Sequence, residues 1–309
     1  MLYESSTRVI HVNDVAGVPR MMVKAARAAS RSWVLHTLPP ASVSPSALVA
    51  RTKDALPWFR GRGAADILHV HYAPNGYYFW GAKAKKVLHF HGTDLRIDLH
   101  QPVKRQLILE SVRQADLVAF STPDLADAAR AACSDAIYLP NPAPAAPANP
   151  LNVVPGRVIF NARWDDSKGG VALVDAARTL VCAGLEVLGF DWGTYRQQAR
   201  NAGVRMLPLT TVAQFGRTLT SAQVIVGQVG YQALTISDMQ ALSANRPLVT
   251  MAPKDTPVVQ ATPENLAAQV QLALNGETLS PTERADWVQA HHGQQLCLRA
   301  WENAYAKIA

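Results

Sequence analysis

Two segments of the chain carry paired imidazoles, and a third carries the cations and amides of an anion site. His69 and His71 lie in DILHVHY, and His89 and His91 in KVLHFHGTDLR. Alternate residues of a strand share a face, so two such strands side by side would present four imidazoles, a set able to hold a metal. Hydrogen-bonded core histidines need the same spacing, and Asp94 is the carboxylate that a ligand set could draw on. His91-Gly92-Thr93-Asp94 reads as a loop at a strand's carboxyl end. There Gly92 lets the backbone approach a ligand and His91 is placed to hydrogen-bond it. In FNARWDDSKGG, Arg163 and Lys168 leave a strand together, and Gly169-Gly170 opens the next helix. Two cations beside free amides suit a diphosphate, whereas a plain loop would leave them as solvated charges. Near the N-terminus, Asn13, Asp14 and Gly17 form a turn before a helix starting near Pro19. This is another place for a phosphate, although an ordinary strand-to-helix turn uses the same residues. Neither GxGxxG nor GxxxxGK[ST] occurs, which argues against an NAD-dependent oxidoreductase and a P-loop kinase.

The elements that must hold these groups follow from hydrophobic periodicity. Apolar runs at 8–12, 33–38, 66–72, 86–92, 116–122 and 136–139, then at 157–162, 186–190, 204–207, 223–229 and 247–251, alternate with helix-length segments. Runs apolar on both faces read as central parallel strands, so the fold class expected is α/β: two Rossmann-like doubly wound domains facing across a cleft. Between the halves, LPNPAPAAPANPLNVVPG is too rich in proline for a helix or a central strand and reads as a semi-rigid linker. The expected domains are 1–142, the linker 143–156, and 157–281. A helical segment 282–309, with Trp287, Val288, Leu296, Leu298, Trp301 and Tyr305, could pack back on the first domain or simply end the second. QVGYQALTISDMQALSANRPLV reads as a loop, a helix running from Gln232 to Gln240, and a strand. Ligands of such sheets sit at the strands' carboxyl ends.

The totals narrow the class. With 309 residues and 49% hydrophobic content, the chain can bury two cores, which excludes a disordered or fibrous protein. A net charge of +7 suits a polyanionic neighbour and is equally ordinary for a soluble enzyme. Cys133, Cys182 and Cys297 stand apart, so no disulfide framework or thiolate zinc site is expected and a reducing cytoplasm fits. Glu4 and Arg8 precede a strand-like run, which argues against a signal peptide, and no stretch approaches the ~20 apolar residues of a spanning helix. The loop YAPNGYYFWGAKAKK interleaves aromatics with Lys83, Lys85 and Lys86. That composition suits nucleic-acid stacking with phosphate contact, or a sugar-stacking or merely packed loop.

Taken in order, ADILHVHY, HFHGTDL, YLPNP, VIFNARWDDSKGG and the looser LGFDWG resemble the motifs of GT-B nucleotide-sugar glycosyltransferases, within them glycosyltransferase family 4. The likeness spans nearly the whole chain, and only the ordered set is specific. It implies transfer of a sugar from a UDP- or GDP-sugar to an acceptor hydroxyl of a glycan, a lipid or a hydroxylated DNA base. It also implies retention of configuration, no metal requirement and no permanently bound cofactor. Peripheral membrane contact is compatible with it. On this resemblance His91, Arg163 and Lys168 are the catalytic candidates. Gly17, Asp191, Gln232, Asp238 and Gln240 are donor-side, and His71, Asn75, Tyr77 and Asp94 acceptor-side. The family's two donor glutamates correspond to Gln232 and Gln240, which keep hydrogen bonding and drop the charge. Asn161-Ala162 and Asn245 replace family glycines. Two alternatives follow: a GT-B-like binding protein with weakened turnover, or a metal-dependent hydrolase using the two His-x-His pairs.

Overall fold

In the computed structural model, which describes residues 6–39, 45–276 and 280–309, the apolar runs are strands of two parallel sheets; Glu4 lies outside the described residues. The first sheet holds β1 (Val9–Val12), β2 (Trp33–His36), β3 (Ile67–His71), β4 (Lys85–Phe90), β5 (Leu117–Phe120) and β6 (Ile137–Tyr138), in the order β2-β1-β3-β4-β5-β6. The second holds β7 (Arg157–Phe160), β8 (Glu186–Phe190), β9 (Arg205–Leu207), β10 (Val224–Val226), β11 (Leu248–Thr250) and β12 (Val259–Gln260), in the order β12-β11-β10-β7-β8-β9. In both, the order reverses beside the first strand of the sheet, the doubly wound pattern. β12 has no counterpart among the sequence-read runs, because two residues are too few to show a period.

Both faces of the central strands are buried, which is why they read as continuous apolar runs. In the second sheet Val158, Phe160, Val224 and Val226 pack with Trp164 and Leu173 on one face. Ile159, Leu188, Phe190 and Ile225 pack with Met239, Leu242 and Val288 on the other. In the first sheet Leu68, Val70, Leu88 and Phe90 pack with Tyr78, Phe79 and Trp58. Each such side chain contributes about 1.5–3 kcal/mol on burial. Tyr78 and Phe79 are therefore core residues; in the aromatic-lysine loop Trp80, 53% exposed, remains available for stacking.

The chain divides into Met1–Pro142 with His292–Ala309, and Ala143–His291. The C-terminal segment is two helices, Pro281–His292 and Gln294–Tyr305, parted at Gly293. The latter helix belongs to the first unit. Trp301 and Tyr305 are fully buried there, Trp301 Nε1 donates to Pro140 O at 3.3 Å, and Arg31 pairs with Glu302 at 2.5 Å. Among the described residues no helix is long and apolar enough to cross a membrane.

Candidate functional site

In the first unit, the residues just beyond β1, β3 and β4 build a cavity of about 340 Å³ lined by Asn13, Arg51, Tyr72, Asn75, His91 and Thr93, among others. Asn13 (φ 76°) and Tyr72 (φ 74°) hold left-handed backbone right after their strands. Such a conformation costs a non-glycine residue about 1–3 kcal/mol and marks a constrained turn. Two amides clamp the carbonyl between them: Asn13 Nδ2 and Asn75 Nδ2 donate to His71 O at 3.1 and 3.3 Å. Tyr77 accepts from Arg51 Nη1 at 3.2 Å, and Tyr72 OH donates to Asp98. Gly17 is the N-cap of the helix Val18–Ala28, one residue before the start expected from Pro19, and Val15 beside it borders the cavity.

Behind the cavity lies a layer of five imidazoles. β1 and β3 align His11 with His69, and β3 and β4 align His71 with His89, so these side chains share one face with His91 beyond them. His11 Nδ1 and His71 Nε2 are 3.1 Å apart, His71 Nδ1 and His91 Nε2 2.9 Å, and His69 Nε2 and His89 Nδ1 3.2 Å. Tyr305 OH lies 2.6 Å from His69 Nδ1. The indole of Trp301 covers the layer, its centroid 4.9–5.7 Å from those of His11, His69, His71 and His89. Burial holds His11 and His91 down at about 3; burial and then neighbouring imidazoles hold His69, His71 and His89 well below the usual value. All five are neutral at pH 7. Asp94 fixes the loop: it accepts N–H bonds from Ala73, His91, Gly92 and Leu95, and burial pushes its carboxyl up to about 6 against those bonds.

In the second unit, the loop after β7 carries Arg163 and Lys168 to the carboxyl end of the sheet. Arg163 pairs with Asp165 and lies over the Trp192 ring at 5.0 Å. Lys168 donates to Tyr231 OH and lies 4.6 Å from that ring's centroid. Gln228, fully buried, organises the facing loop. Its Oε1 accepts from Gly230 and Tyr231 N, and its Nε2 donates to Tyr231, Ala233 and Met251 carbonyls. Asp238 is also fully buried; its Oδ2 accepts from Thr235 N and Oγ1 at 2.8 and 2.7 Å, closing the capping box of the helix Ile236–Ser243. Burial raises its pKa, while Thr235, the Lys168 charge and Asn161 pull it down. Lys168 is thus electrostatically coupled to a buried carboxyl.

The other donor-side residues lie on neighbouring segments, Asp191 just before Trp192 and Gln232 just after Tyr231. Gln232 is exposed in the loop preceding the helix, which begins at Ile236 rather than at Gln232. Gln240 is inside that helix, and its Nε2 donates to Val212 O at 2.9 Å. Asp191 pairs with Arg196 and Arg200 at 3.6 and 3.2 Å. Sequence reasoning missed His11, Arg51, Trp192, Gln228 and Tyr231. A lone histidine on β1 joins the cluster only through strand register. Gln228 and Tyr231 did carry a signal, since Gln228 is a polar residue inside the apolar run 223–229 and Tyr231 lies two residues past its end.

No protein-family model matches the chain, and no curated protein does. Solved structures do. Sucrose-phosphate synthase from Thermosynechococcus elongatus is 15% identical over 97% of this chain and 99% of that one, with a TM-score of 0.75. A glycosyltransferase from Rickettsia africae is 11% identical over 99% of both chains, with a TM-score of 0.66. Anabaena HepE, solved in complex with UDP, is 9% identical over 97% and 100%, with a TM-score of 0.63. At these identities the likeness is one of architecture: the chain has the two-domain α/β GT-B fold.

Proposed function

We propose that the protein is a nucleotide-sugar-dependent glycosyltransferase of the family 4 type, taking a UDP- or GDP-sugar as donor. The observation that carries this reading is the pair of cations on one strand-end loop of a GT-B fold, with Lys168 beside Tyr231 and coupled to buried Asp238. In the reaction the bond from the anomeric carbon to the diphosphate oxygen breaks and a bond to the acceptor oxygen forms. The acceptor's proton leaves with the diphosphate. Negative charge grows on the departing diphosphate, and preorganised cations stabilise it there, commonly the largest catalytic contribution. Arg163 and Lys168 have this role, with retention of configuration and no metal required for transfer.

The cavity of the first unit takes the acceptor. His91 meets it directly, Asn75 and Arg51 line it, and Tyr77 steadies Arg51. His71 and Asp94 act through His91, one on its ring and one on its backbone N–H. The acceptor is a hydroxyl of a glycan, a lipid or a hydroxylated base of DNA, and the unpaired cysteines suit a cytoplasmic setting.

Calorimetric titration with UDP and GDP tests the donor side. Losing one charge-assisted hydrogen bond costs about 1.5–3 kcal/mol, so Arg163→Ala and Lys168→Ala should each weaken binding about 10- to 100-fold. Parental affinity in both variants defeats the assignment. Mass spectrometry of products from a panel of nucleotide sugars, with glycan, lipid or DNA acceptors, identifies the acceptor class.

A further inference from the structure

We propose that His71, His89 and His91 form a binding site for a divalent transition-metal ion of the zinc type, with a water from the adjoining cavity as the remaining ligand. One ring nitrogen from each of the three lies within 4.8 Å of the others. All sit on one face of β3 and β4 or just beyond it.

Hydrogen-bond accounting gives an independent reason. A neutral imidazole has one donor and one acceptor nitrogen. The contacts His11–His71–His91 and Tyr305–His69–His89 can each be satisfied with all protons pointing one way. Whichever way they point, His11 Nε2 and His89 Nε2 remain buried with no partner among the described residues. An orphaned buried polar atom costs about 1–3 kcal/mol, and a metal bond through His89 Nε2 removes one such loss, while ligation by His71 exchanges one of its two imidazole contacts for the metal bond. Imidazoles without thiolate select zinc, copper(II) or nickel rather than magnesium or calcium.

A second trio, His11, His69 and His71, has similar spacing. It is fully buried beneath Trp301, and a divalent ion enclosed there by neutral ligands would bear several kcal/mol of uncompensated desolvation. In the chosen trio His71 and His89 are as deeply buried, but His91 borders the cavity and gives that trio one ligand beside solvent-accessible space. Water bound there ionises near pH ~7 and supplies the missing negative charge. The site shares His71, His91 and the cavity with the proposed acceptor side, and zinc titration needs neither donor nor acceptor, so its outcome is read apart from that of sugar transfer.

The full-length protein, stripped by chelator dialysis, is titrated with zinc chloride and, separately, with cobalt chloride. The expected result is a single zinc ion per chain and a cobalt absorption spectrum of a low-coordinate nitrogen site. His91→Ala, at a half-buried loop position, should weaken zinc at least ~10-fold, the scale of loss even for groups that only support a ligand. His89→Gln should do the same, with folding checked by circular dichroism. His36→Ala, which removes an imidazole paired with Asp54 outside the cluster, should bind as the parent does. No zinc in the parent, a cobalt spectrum of the hydrated ion, or parental affinity in a folded His91→Ala or His89→Gln protein overturns the proposal.

Discussion

Gln240 and Gln232 look like a matched pair in the sequence and have opposite circumstances in the fold. Gln240 is 6% exposed and spends an amide N–H on Val212 O. A glutamate there has no hydrogen to donate and would set a carboxylate against a carbonyl. Gln240→Glu should therefore lose about 1–3 kcal/mol, lowering the melting temperature by about 2–4 °C per kcal/mol. Gln232 is exposed, so Gln232→Glu should leave stability within about 0.5 kcal/mol. Thermal unfolding of the two variants checks this: equal behaviour would mean that the Val212 contact carries no stability. Any change in nucleotide affinity of Gln232→Glu then reports added charge alone. Residue type was legible in both cases; the partner of Gln240 was not, because Val212 is a backbone acceptor with no mark in the sequence.

At the scale of elements, the donor-side loops are held by each other. Trp164 N donates to Trp192 O at 3.0 Å and Tyr195 N to Trp164 O at 2.8 Å, which joins the loops after β7 and β8 and sets Trp192 under Arg163. Gly193 makes the approach possible. It has φ 118°, and a Cβ on it would lie 2.6 Å from Trp164 N and nearer still to its carbonyl. Gly193→Ala should cost about 2–4 kcal/mol from backbone strain and overpacking together. Gly184→Ala shares a positive φ (80°) but meets nothing within 4 Å, so it should cost only about 1 kcal/mol. Denaturant melts of both compare them; an equal loss would refute the loop-to-loop contact. The strands, by contrast, were legible from their two-sided apolar character, and the capping box at Thr235 and Asp238 is visible as T-x-x-D.

For the molecule as a whole, the imidazole layer makes stability depend on pH. His11 and His91 titrate at about 3 in the fold and near 6.5 when unfolded, and His69, His71 and His89 are also lowered. Between those values the unfolded chain binds protons that the folded chain does not, so unfolding free energy rises with pH across that window and is lost as pH falls from 6.5 toward 3. The slope approaches about 1.4 kcal/mol per pH unit for each histidine. Denaturant melts of the chelator-stripped protein at pH 7 and pH 5 should differ by several kcal/mol, and NMR titration should find these rings neutral at pH 5. Equal melts would mean that the rings reach solvent. The sequence by itself determined two doubly wound sheets, the loops that end their strands, and the residue types at those ends, because periodicity and turn chemistry are local. Only the tertiary structure decided that His11 joins His69 and His71 under Trp301, that Gln228 shapes the loop facing Lys168, and that Asp191 is bound to Arg196 and Arg200. Those contacts join residues brought together by strand register and packing, and pairing between distant segments leaves no periodic trace in a single chain.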